Sequence, residues 1–84
     1  MKILIVEDDR DICEILEFNL SNEGFEVECA YSAEEGLNIL DSNHSLILLD
    51  VMMGGMSGYK MAEKIRREDN TIPIIFLTAK DTEN

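Results

Sequence analysis

At three points in this chain an apolar run gives way abruptly to residues that can bind a metal or take part in group transfer. Ile3-Leu4-Ile5-Val6 is followed by Glu7-Asp8-Asp9, Leu46-Ile47-Leu48-Leu49 by Asp50, and Pro73-Ile74-Ile75-Phe76-Leu77 by Thr78. If the three runs are neighbouring strands, these side chains converge on one edge of a sheet. Carboxylates gathered there repel one another, and a hard divalent cation relieves the repulsion. Mg²⁺ suits such a place, because it prefers oxygen ligands and is often held by one or two carboxylates plus water and phosphate oxygens.

The elements that must position these residues follow from the hydrophobic pattern. Short continuous apolar runs rich in β-branched residues read as strands covered on both faces, as in a parallel sheet. After Asp9 a helical pattern places Ile12, Ile15, Leu16 and Leu20 on one face, and Gly24 supplies a C-terminal stop. Residues 25–30 alternate, with Phe25, Val27 and Cys29 opposite Glu26 and Glu28, which predicts a half-exposed edge strand. Ser32 and Glu35 form a capping box for a second helix striped by Ala33, Leu37 and Leu40. A glycine-rich loop, Gly54-Gly55-Met56-Ser57-Gly58, leads into a third helix bearing Met61, Ala62 and Ile65. The order β-α-β-α-β-α-β implies an α/β fold with a parallel, doubly wound sheet and right-handed crossovers. In such sheets sites form beyond the carboxyl ends of the strands.

Size and charge narrow the function. Eighty-four residues make one small domain, with a thin margin of stability. Eighteen acidic residues against seven basic ones give a net charge of −11, which repels phosphate backbones and argues against nucleic-acid binding by this segment. No apolar run approaches the length of a membrane span, and the opening Met1–Val6 breaks off into acids too soon for a signal peptide. The cytoplasm is the expected location. Cys13 and Cys29 match no metal-ligand spacing and are expected to be buried free thiols.

Four motifs in register resemble one family. Ile3-Leu4-Ile5-Val6-Glu7-Asp8-Asp9, Leu49-Asp50-Val51-Met52-Met53, Met56-Ser57-Gly58 and Leu77-Thr78-Ala79-Lys80 are similar, in order and spacing, to the signature of two-component response-regulator receiver domains. The resemblance spans the whole chain, residues 1–84. It implies a flavodoxin-like fold, here cut to about four strands and three helices. It further implies that Asp50 accepts a phosphoryl group from a histidine kinase, becoming an acyl phosphate. The protein would then be a switch with at most self-catalysed phosphorylation rather than an enzyme.

The same resemblance implies Mg²⁺ held by Asp8 and Asp50, by Glu7 through water, and by the backbone carbonyl of Met52. Asp9 then reads as the N-cap of the first helix, though an Asp8/Asp9 metal pair stays open at this stage. Thr78 would be the switch residue, its hydroxyl turning toward the phosphoryl oxygen with help from the Ala79 backbone N–H. Gly54 departs from the family, which commonly has proline there, and should loosen the loop after Asp50. The resemblance also implies a further helix, a fifth strand and a last helix after Asn84, including a lysine that contacts the phosphoryl group. Lys80 comes too early to be that lysine. The expectation is a truncated receiver, weakly phosphorylated by itself, belonging to a parent with a C-terminal output domain. Its fourth strand would be an exposed apolar edge prone to self-association.

Other residues take plainer readings. His44 is expected in a solvent-exposed turn, and Met52, Met53, Met56 and Met61 are expected to fill gaps beneath the acidic edge. Gly54-Gly55 is followed by no Gly-Lys-Ser/Thr, so a nucleotide loop is not expected. A metal-dependent phosphatase with an aspartyl nucleophile usually has a second acid two residues on, where this chain has Met52. The competing reading is a phosphorylation-independent interaction module, separable by Mg²⁺ titration of the wild type and Asp50→Asn.

Overall fold

The computed structural model describes residues 1–77. The chain runs β1 (Lys2–Val6), α1 (Arg10–Asn22), β2 (Glu26–Ala30), α2 (Ala33–Ile39), β3 (His44–Asp50), α3 (Gly58–Arg67) and β4 (Ile74–Leu77). All strands are parallel, in the order β2-β1-β3-β4. This is the doubly wound arrangement expected from the element order, with four strands and three helices among the described residues. β1 is central, pairing Ile3–Val6 with Val27–Ala30 on one side and with Leu46–Leu49 on the other.

Both faces of the sheet are covered, which explains why β1 and β3 carry unbroken apolar runs. Ile3 and Ile5 point to one face, where they join Cys13, Leu16 and Leu20 of α1. Leu4 and Val6 point to the other, where Ala33 of α2 and Met61 and Ile65 of α3 complete the larger core. The helices start and stop at recognisable signals. Asp9 caps α1, its carboxylate accepting the N–H groups of Asp11 (3.0 Å) and Ile12 (3.4 Å). Gly24, at φ +93°, takes the left-handed turn that ends α1, with Phe25 N–H bonding back to the Leu20 carbonyl at 3.1 Å. Ser32 accepts from Glu35 N–H at 3.0 Å, and the Glu35 carboxylate reaches back to the Tyr31 N–H at 2.7 Å.

Several expectations are corrected. The inward stripe of α1 is Cys13, Leu16 and Leu20; Ile12 is exposed and Ile15 is 60% exposed. Cys13 stands one residue from Ile12 and two from Ile15, so turning it inward rotates both away. His44 is no exposed turn residue: it opens β3 and its side chain is fully buried. Its Nδ1 accepts the Asp41 N–H at 3.1 Å, which leaves Nε2 to donate to Glu28 Oε1 at 2.9 Å. Met52 fills no gap, being 69% exposed, whereas Met61 is wholly buried and Met53 and Met56 pack against the larger core. Cys29 is only half-buried. β4 is half-covered, with Ile75 52% exposed.

Candidate metal centre

Neighbouring strands bring the acids together. β1 ends at Val6 opposite Leu49, so the next residues along the chain, Glu7 and Asp50, stand side by side at the carboxyl edge of the sheet. Carboxylate oxygens of Glu7, Asp8 and Asp50 all lie within 4.8 Å of one another. Glu7 and Asp50 are each only 6% exposed, while Asp8 faces solvent. Together with Asp9, Ile12, Leu16, Met52 and Leu77 they line an open cleft of about 380 Å³.

Backbone hydrogen bonds restrain the cluster. Glu7 Oε2 accepts the Asp9 N–H at 2.9 Å, and the Glu7 carbonyl accepts the Cys13 thiol at 3.2 Å. Asp50 Oδ1 accepts the Met52 N–H at 3.3 Å. Asp8 Oδ2 accepts the Gly54 N–H at 3.4 Å, a bond that a proline at this position could not make. Asp9 turns away to cap α1 and is not a member of the cluster.

Burial first, and the nearby Asp50 charge with it, push the Glu7 carboxyl up to about 7 against the lowering effect of the Asp9 N–H. Three acidic side chains held this close, two of them shielded from water, are a set of hard oxygen donors whose mutual repulsion a divalent cation would relieve. The donor chemistry therefore fits a hard cation and excludes a soft thiolate site. Neither thiol belongs to the cluster, and burial disfavours the thiolate of both, raising Cys13 to about 12 and raising Cys29 as well.

Of the residues singled out in the sequence, the structure brings Glu7, Asp8 and Asp50 together and sets Met52 beside them in the wall of the cleft. Thr78 and Ala79 lie outside the described residues. Two contributors are missed by sequence reasoning: the Gly54 N–H on Asp8, and Gly58, whose N–H donates to the Val51 carbonyl at 3.0 Å. Neither announces itself by residue type, since both act through backbone.

Comparison with known proteins places this geometry. The family model described as response regulator receiver domain matches residues 3–84. Among solved structures, the response regulator TrrA from Thermotoga maritima, crystallised in complex with Mg²⁺-BeF, is 38% identical with a TM-score of 0.88. The match covers 95% of this chain and 70% of that one. The N-terminal domain of a response regulator receiver protein from Methanoculleus marisnigri is 34% identical with a TM-score of 0.90, covering 98% and 69%. A structure of the histidine kinase ThkA in complex with TrrA also matches, at 38% identity and a TM-score of 0.86, covering 96% and 71%.

Proposed function

This chain belongs to the response regulator receiver domain family, and we propose that its Asp50 accepts a phosphoryl group from a histidine kinase in the presence of Mg²⁺. The observation that carries the reading is the buried acidic cluster: Asp50 at the end of β3, with the carboxylates of Glu7 and Asp8 within 4.8 Å. The kinase as donor is supported by the complex of ThkA with the related TrrA, and Mg²⁺ by the complex of TrrA with Mg²⁺-BeF.

Glu7, Asp8, Asp50 and the Met52 carbonyl would hold the cation. When bound, Mg²⁺ offsets negative charge on the arriving phosphoryl group. Asp50 is the nucleophile: a carboxylate oxygen forms a bond to phosphorus while the P–N bond of the phosphohistidine breaks. The imidazole leaves with the electron pair and takes up a proton. Asp50 is 6% exposed and its Oδ1 accepts the Met52 N–H, which restrains the carboxylate, and the open cleft it lines leaves access for the donor. Thr78 and the Ala79 N–H would read the acyl phosphate, so the output is conformational and the chain is a signalling module rather than an enzyme.

Partners proposed beyond the kinase are an output domain in a longer parent and a second copy meeting the edge of β4. The exposure of Ile75 and Phe76 on that strand supports the latter. No helix among the described residues is long and apolar enough to cross a membrane, and the cytoplasm is the proposed setting.

The test is incubation with acetyl phosphate and Mg²⁺, followed by mass spectrometry of the intact chain and of its peptides. Mg²⁺-dependent labelling confined to Asp50 is expected. Labelling that persists in Asp50→Asn, or that ignores removal of Mg²⁺, would overturn the proposal. Light scattering tests the β4 edge, where a monomeric mass at every concentration refutes self-association.

A further inference from the structure

The first turn of α3 sits directly on the end of β3, and the contact is made by Gly58. A Cβ built at this position would run into the carbonyl oxygen of Asp50, and would lie 2.9 Å from its carbonyl carbon and 3.0 Å from Val51 Cα. The obstacles are backbone atoms, which cannot swing aside as a side-chain tip can. The Gly58 N–H closes the same contact by donating to the Val51 carbonyl at 3.0 Å, and Ser57 caps the helix by accepting the Lys60 N–H at 3.2 Å. Residues 51–57 are thus a loop pinned at both ends to the strand terminus. Within that loop the Met52 N–H holds Asp50 Oδ1 and the Gly54 N–H holds Asp8 Oδ2. Where α3 is seated therefore decides how far apart Asp50, the Met52 backbone and Asp8 can stand.

We propose that Gly58 is a positioning residue that sets the size of the cation site, selecting Mg²⁺ over the larger Ca²⁺ by letting α3 seat against the Asp50 carbonyl. The proposal rests on the reading of Glu7, Asp8 and Asp50 as a Mg²⁺ site. Mg²⁺ demands near-octahedral oxygen ligands at about 2.0–2.1 Å, whereas Ca²⁺ accepts irregular shells at about 2.3–2.6 Å. A methyl group at position 58 must lift the first turn of α3 or push the Asp50–Val51 peptide away. Either displacement slackens the loop that carries the ligands. The slackened site loses the small ion first.

Gly36 provides the control. A Cβ there would meet Met61 Cε at 2.9 Å and Val6 Cγ2 at 3.0 Å, side-chain atoms of the larger core rather than backbone of the loop that carries the ligands. Gly36→Ala should destabilise the fold and leave the ligands where they are.

The experiment titrates Mg²⁺ and Ca²⁺ separately into the 84-residue wild type, Gly58→Ala and Gly36→Ala, reading backbone amide shifts of residues 50–54 by NMR. In Gly58→Ala the Mg²⁺ affinity is expected to fall roughly 10- to 100-fold, as for loss of other groups that orient metal ligands. Ca²⁺ affinity should fall less, so the ratio of the two affinities moves. A purely structural defect weakens both ions in proportion and leaves that ratio fixed. Gly36→Ala is expected to keep the wild-type ratio. If Gly58→Ala is too little folded, all three proteins are titrated in sucrose, which favours the compact state. An unchanged ratio in Gly58→Ala, or an equal change in Gly36→Ala, overturns the role of Gly58. Absence of a Mg²⁺ response in the wild type overturns the metal-site reading instead.

Discussion

Replacing Glu7 by glutamine should abolish a specific fall in stability between mildly acidic and mildly alkaline pH. In the folded chain the Glu7 carboxyl is raised from 4.5 to about 7, first by burial and further by the Asp50 charge beside it. Below pH 4.5 Glu7 carries its proton in both folded and unfolded chains, and the pH dependence vanishes. Between 4.5 and about 7 the unfolded chain has released the proton while the folded chain keeps it, so raising the pH favours unfolding. Above about 7 both are ionised and the loss is complete. At 1.36 kcal/mol for each pH unit of displacement, the loss is at most about 3 kcal/mol. Set against a total of roughly 4–13 kcal/mol for a chain of this length, that is a large fraction.

Glutamine keeps an oxygen for the Asp9 N–H, which now bonds Glu7 at 2.9 Å, so the turn into α1 survives the substitution. The assay is urea unfolding by circular dichroism at pH 5 to 8 with EDTA present, wild type against Glu7→Gln. The wild type should lose stability relative to the variant by a few kcal/mol across that window. Mg²⁺ at 100 times its Kd should restore about 2.7 kcal/mol to the wild type at pH 8. Parallel pH profiles for the two proteins would refute the reasoning, because they would mean that Glu7 titrates alike in the folded and unfolded chains.

Other substitutions separate the scaffold from the site. Asp9→Ala removes the cap of α1 and should cost about 1 kcal/mol in urea unfolding; no loss would deny the cap its role. Met61→Ala opens a cavity in the larger core and should cost about 2–5 kcal/mol, while the Mg²⁺ affinity of the folded fraction stays unchanged. A parallel drop in affinity would show that the core and the acids are coupled. His44→Phe strands the Asp41 N–H and frees Glu28, so thermal unfolding should reveal a loss of about 1–3 kcal/mol; a loss under about 0.5 kcal/mol would mean that both groups find water instead.

The strands and the acidic edge are legible in the sequence because their causes are local. Ile3–Val6 and Leu46–Leu49 are apolar without interruption since both faces of their strands are buried, and in such a sheet the residues after the strands meet at one edge. The inward face of α1 is misjudged because Ile12 and Ile15 outrank Cys13 in hydrophobicity. Yet it is the Cys13 side of the helix, with Leu16 and Leu20, that packs against Ile3 and Ile5. His44 looks like a polar turn residue until the fold supplies Glu28 from β2 and the Asp41 N–H from the preceding turn. Gly58 is silent for the same reason: the carbonyl that forbids a side chain there belongs to a residue eight positions earlier.

Glu7 and Asp50 extend the two strands at the centre of the sheet, while β2 and β4 flank them. Partial unfolding that peels β4 from β3, or β2 from β1, leaves the β1–β3 ladder and its acids intact. The least protected amides should therefore be those of the outer strands, and the most protected those nearest the acceptor. A partner that borrows or displaces an outer strand would remodel the perimeter of the molecule without opening the pair of strands that holds its chemistry.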